Sequence, residues 1–208
     1  MFCPATILRL RRQREGRTGV SVNRCYPIRM NKVIVVSRPT VEKMLIQQFY
    51  GSAVAMLQQY NIISCLDSGF GSPFMKSVYA GYPGSGLLTL HFDDVFNDLG
   101  FTHGEQDSGI PDVQYAVFTY EQAQRIIRWL TVVDHSKQFL VHCFAGNSRS
   151  GAVGVWLSRY LGNTDEQFYA ANPQCVPNPD ILETLMQAQR ISAAVAATYI
   201  HEDNRRVK

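Results

Sequence analysis

The chain has 208 residues, 46% of them apolar and 18% charged, a composition that suits one globular domain with an ordinary core and excludes a wholly disordered chain. Its net charge of +3 is uneven: residues 1–29 hold seven arginines (Arg9, Arg11, Arg12, Arg14, Arg17, Arg24, Arg29) against Glu15, together +6, which leaves the remainder at −3. A mildly acidic body excludes a dedicated nucleic-acid face, and the longest apolar stretch near the C-terminus, Ile191 to Ile200, is too short to span a bilayer.

The chain divides at about residue 30. Residues 1–29 lack sustained periodicity and read as a basic extension, disordered or lying upstream of a start at Met30; an Arg-rich targeting segment is the alternative. Residues 30–208 form the folded domain. Lys32 to Ser37 reads as a buried strand, and Pro39 and Thr40 offer a start for a helix over Val41 to Tyr50. Asn61 to Leu66 is a second buried strand, closed by the turn signal Asp67-Ser68-Gly69, and residues 69–86 read as loop. Leu87 to Phe92 is a third strand. The polar, glycine-rich stretch from Asp93 to about Tyr115 is long enough to suggest a functional loop. Thr119 caps an amphipathic helix with Glu121 and Gln122 in its first turn and Ala123, Ile126, Ile127 and Leu130 on one face. Phe139 to His142 is the fourth strand, Ser148 to Leu161 a helix directly after it, and Ile181 to about Tyr199 a long final helix beyond Pro173, Pro177 and Pro179. Strands alternating with helices predict a single α/β domain with a mostly parallel central sheet flanked by helices.

Five cysteines (Cys3, Cys25, Cys65, Cys143, Cys175) are an odd number without C-x-x-C or Cys/His ligand spacing. That speaks against a disulfide framework and a structural zinc site and for a reducing, cytoplasmic setting. Nor does the spacing of His91 and His103 make them metal ligands.

The stretch that carries chemistry is Gln138 to Gly154, QFLVHCFAGNSRSGAVG. A buried strand runs into Cys143, five residues follow, and Arg149 ends the loop where a small-residue helix begins. A tight loop between strand and helix turns successive backbone N–H groups inward as an anion nest. Gly146 allows backbone geometry closed to other residues. Arg149 presents a planar fork to two oxygens of an oxyanion, and Cys143 at the centre of such a nest is favoured as thiolate. A core cysteine at a strand end is the plain alternative.

This segment resembles the H-C-x5-R-S signature of the protein tyrosine phosphatase superfamily, with the strand before it and the helix after it in the family's places. The wider likeness runs from about Lys32 to the final helix and is nearest to small dual-specificity-like phosphatases of bacteria and phages, with FDDV at 92–95 and AANPQCVPNPD at 170–180 as softer echoes. The resemblance implies that Cys143 is the nucleophile, Arg149 the phosphate clamp, and Ser150 the hydroxyl that eases departure of the cysteine. It implies that the backbone of Phe144, Ala145, Gly146, Asn147, Ser148 and Arg149 holds phosphate oxygens, and that His142 fixes the loop and lowers the thiol's pKa. Asn147 departs from the apolar residue expected at its place.

The family's general acid is an aspartate on a mobile loop. Asp94 aligns best, after the third strand; Asp93 beside it and Asp112, in GIPD, are the alternatives. The implied reaction needs no metal or organic cofactor. With no lysine between Cys143 and Arg149, a phosphorylated protein or an aryl phosphate is the expected partner rather than a phosphoinositide, nucleic acid or membrane. A phosphate-binding module that turns over poorly and a rhodanese-like sulfurtransferase are the rival readings.

Overall fold

The computed structural model describes residues 33–67, 86–95 and 115–206, with side chains described as far as residue 194. The basic extension, Asp112 and His103, the loop expected over 69–86 apart from Gly86, and most of the loop between Asp93 and Tyr115 lie outside the described residues.

Among the described residues four strands form one sheet: β1 (Val33–Ser37), β2 (Tyr60–Leu66), β3 (Leu87–His91) and β4 (Gln138–Cys143). Their order is β1-β4-β2-β3, and every neighbouring pair is parallel. The expected mostly parallel α/β domain is therefore what forms. The register places Ser37 beside Cys143 and Ser64 beside His142, and Leu66 beside His91.

Six helices flank the sheet among the described residues: α1 (Arg38–Phe49), α2 (Ala53–Gln59), α3 (Tyr120–Leu130), α4 (Arg149–Tyr160), α5 (Asp165–Ala171) and α6 (Pro179–Arg206). Because side chains alternate along a strand, the sheet feeds two cores. Ile62 and Leu140 face Val41, Leu45, Phe49, Met56 and Leu57 of α1 and α2. Val33, Val35, Ile63, Cys65, Phe139, Val141 and Cys143 face the opposite core, built with α3, α4 and α6.

Local chemistry sets the boundaries. The hydroxyl of Ser37 accepts from Thr40 N–H (3.3 Å), with Pro39 in the first turn, so α1 starts at Arg38 rather than Val41. Thr119 caps α3 as expected and forms a reciprocal box with Gln122, at 3.0 and 3.3 Å. The short α2 has no counterpart in the sequence reading; Ser52, whose hydroxyl accepts from Ala55 N–H at 3.3 Å, was its signal. Helix α4 is buried at every position from Arg149 to Ser158. Its backbone approaches the sheet so closely that a Cβ at Gly154 would lie 2.5 Å from Val35 Cγ2.

The free edge of β1 is sealed by side chains. Buried Asn172 accepts from Val35 N–H (2.7 Å) and donates to Val33 O (3.0 Å), and Gln174 donates to Val35 O (2.8 Å). Asn172→Ala strands the Val35 N–H and Val33 C=O, and each unmet buried group costs ~1–3 kcal/mol. Urea denaturation should therefore show a loss of about 2–4 kcal/mol; a loss below about 0.5 kcal/mol would show that water replaces the amide.

Candidate active site

Parallel pairing brings the C-terminal ends of all four strands to one edge of the sheet, where open α/β sheets place their ligand crevices. Ser37 ends β1, Asp67 follows β2, Phe92 to Asp94 follow β3, and Cys143 ends β4.

Cys143 is buried, 2% exposed. Its Sγ receives the Gly146 N–H at 3.2 Å and lies 3.1 Å from Ser150 Oγ. The loop that returns over the sulfur is held on β1: Arg38 N–H donates to Phe144 O at 3.2 Å. Gly146 has φ +72°, and a Cβ there would stand 2.3 Å from Ser37 N and 2.4 Å from Val36 C. Both the sign of φ and the space demand glycine. Ser148 precedes α4 without capping it through its side chain; its hydroxyl donates instead to Asp94 Oδ1 at 2.8 Å.

Arg149 is 4% exposed. A buried guanidinium is costly unless its charge and donors are met. Nη2 pairs with Asp67 Oδ1 at 2.7 Å, Nη1 donates to Phe92 O at 2.8 Å, and Nε has no partner among the described residues. The guanidinium is thus pinned through both Nη atoms, and a planar fork of this kind is the side chain that pairs best with oxyanions. Asp67 was read only as a turn signal; nothing local marks it as the partner of a residue in another element.

Of the three aspartates, Asp94 stands at the Cys143 loop through Ser148, and Oδ1 also accepts from Asn178 Nδ2 at 3.0 Å. Asp93 turns its carboxylate to Ala116 N–H (2.8 Å), tying the end of β3 to the segment before α3. Asn147, the departure from the expected pattern, accepts from Val176 N–H at 2.6 Å, so its polarity joins the loop to the segment before α6.

His142, which the resemblance gave a part in fixing the loop, precedes Cys143 in β4. It is fully buried, and neither ring nitrogen has a hydrogen-bond partner among the described residues. Burial, and second the positive charge of Arg38, push its pKa down to about 3. A ring that burial keeps uncharged does not stabilise a thiolate by charge, and no described residue hydrogen-bonds it to the loop. The other described cysteines stay protonated thiols at neutral pH. Burial first, then the neighbouring Cys143, pushes Cys175 up to about 11, and burial likewise raises Cys65. No group of three or more His, Cys, Asp or Glu among the described residues is placed to hold a metal ion, and no helix among them is long and apolar enough to cross a membrane.

No protein-family profile matches the chain, and no curated protein does. Among solved structures it is similar to PTPMT1 in complex with PI(5)P, at 13% identity and TM-score 0.44 over 82% of this chain and 97% of that one. It is similar also to the PTP-2 phosphatase of Cydia pomonella, at 17% identity and TM-score 0.43 over 76% and 86%. A third is Tk-PTP in its active form, at 21% identity and TM-score 0.40 over 66% and 84%. At these TM-scores the likeness is partial, and the case for function rests on the chain's own residues.

Two outcomes test the site. Gly146→Ala forces an alanine into the left-handed region, which alone costs ~1–2 kcal/mol, and drives a methyl into the β1 backbone. Chemical denaturation should show at least about 2 kcal/mol lost. For His142, the unfolded chain takes up a proton below the ordinary 6.5, whereas the folded chain resists until about 3. Stability present above pH 6.5 is therefore lost as pH falls, by up to ~1.4 kcal/mol per pH unit. His142→Leu should flatten that loss between pH 6.5 and 5; an unchanged slope would assign it to other groups.

Proposed function

We propose that this chain is a cysteine-dependent phosphatase that hydrolyses phosphate monoesters through a cysteinyl-phosphate intermediate. The observation that carries the reading is the setting of Cys143. Its sulfur lies within reach of the Gly146 N–H and the Ser150 hydroxyl, in a loop ended by a buried arginine whose Nε has no partner among the described residues. A fixed guanidinium beside a loop of backbone N–H groups brings a dianionic phosphate to that sulfur.

In this reading the backbone N–H groups from Phe144 to Ser148 and the Arg149 guanidinium hold the non-bridging oxygens. The Cys143 thiolate attacks phosphorus, an S–P bond forms, and the P–O bond to the leaving group breaks. Asp94, protonated, gives its proton to the departing oxygen. Water then attacks the cysteinyl-phosphate, Asp94 as carboxylate takes the water's proton, and the S–P bond breaks to release inorganic phosphate. Ser150, 3.1 Å from Sγ, donates to the sulfur as its negative charge returns. Asp94 is preferred to Asp93 because its carboxylate meets the loop, whereas that of Asp93 is spent on Ala116.

The substrate class is a phosphorylated protein, on tyrosine or on serine and threonine. No lysine stands between Cys143 and Arg149 to meet a highly charged headgroup. Phe144, 62% exposed, and Val176, 68% exposed, present apolar side chains at the loop, a surface suited to an aryl or peptide phosphate.

Hydrolysis of 4-nitrophenyl phosphate in a chelator, by wild type and by Cys143→Ser, tests the reading. Turnover by the wild type that falls to the uncatalysed background in the variant is the expected result. No turnover by folded wild type that still binds vanadate would leave a phosphate-binding module instead.

A further inference from the structure

Asn178 lies in the PNPD stretch, which the sequence offers only as helix punctuation, yet it is fully buried and every hydrogen-bonding position of its side chain is spent. Nδ2 donates to Asp94 Oδ1 at 3.0 Å and to Val95 O at 3.0 Å. Oδ1 accepts from the N–H groups of Asp180, at 3.0 Å, and Ile181, at 3.3 Å, at the start of α6. Its backbone N–H donates to Ser148 O at 3.3 Å. Two donors and two acceptors are all that an amide has. A flipped amide would set its NH2 against two backbone N–H groups, so one orientation alone is allowed.

We propose that Asn178 is the positioning residue that sets Asp94 for proton transfer. The proposal rests on the phosphatase reading. Asp94 sits exposed on the segment after β3, and its other hydrogen bond comes from the freely rotating hydroxyl of Ser148. The rigid amide supplies what that rotor does not. It fixes the carboxylate through Oδ1 and the backbone one residue on through Val95 O, and it leaves Oδ2 without a protein partner among the described residues, free to carry the proton. Because the same residue caps α6 and bonds the last residue of the Cys143 loop, proton donor and nucleophile loop share one anchor.

A residue that acts only through the acid has a kinetic signature. Proton donation matters for a poor leaving group such as phenol and little for 4-nitrophenol, whose anion leaves unaided; a positioned acid is worth ~10²–10⁴-fold. The variant is Asn178→Ser, which keeps an N-cap acceptor for α6 but removes the donor to Asp94. With phenyl phosphate, kcat should fall roughly 10- to 100-fold, and with 4-nitrophenyl phosphate less than about threefold. The selective loss should vanish in an Asp94→Asn background, where there is no acid left to position. Should the serine variant fail to fold, Asn178→Asp keeps the shape and the cap and replaces the donor with a repelling carboxylate, and the same selective loss is expected. Equal losses on both substrates, no loss on either, or a loss that persists in the Asp94→Asn background would overturn the inference and leave the phosphatase reading standing. Absence of Cys143-dependent turnover by the wild type on 4-nitrophenyl phosphate would overturn both.

Discussion

The arrangement depends on β4 being paired in parallel with a strand on each side. A parallel sheet has all its C-terminal ends on one edge, so residues as far apart in the chain as Ser37 and Cys143 arrive together without a dedicated loop to carry them. Ser37, Asp67, Phe92 to Asp94 and Cys143 are brought to one place by backbone hydrogen bonds that involve none of their side chains. The close approach of Gly146 to the end of β1 then fixes how the loop returns over the sulfur.

On that frame the site is a problem of buried polarity solved almost completely. Arg149 is the costly element, a cation removed from water at the start of a helix that is buried on every side. Asp67 and the Phe92 carbonyl offset its desolvation, and Nε is left without a partner among the described residues. Asn147, Ser148 and Asn178 extend the same economy outward, each joining two segments with one side chain. His142, by contrast, is held neutral by burial.

How much of this was legible in the sequence follows from the range of each interaction. The four strands, the capped helix after Thr119 and the strand-loop-helix around Cys143 are written in local periodicity and short motifs, and they form where expected to within a few residues. The α/β class followed from their alternation. Helix α2 was missed because its seven residues hold too few turns to show a period. The early start of α1 was missed because Ser37, read as the end of a strand, also caps the helix. Asp67, Asn172 and Asn178 were not recognisable as partners, since an aspartate after a strand and an asparagine near a proline look alike whether or not a buried group waits opposite. Their meaning exists only once the sheet has formed.

The seal on β1 ties two properties together that are usually selected apart. An uncovered edge strand is a template for pairing with other chains, and here the guard is side chains, Asn172 and Gln174, on the same short segment that carries Val176 and Asn178 to the site. Whatever loosens that segment opens an edge for aggregation and breaks the hydrogen bonds to Asn147 and Asp94 at once. Solubility and the geometry around Cys143 would then decline together along one mutational path, so that a screen for soluble expression alone would enrich for chains with that geometry intact.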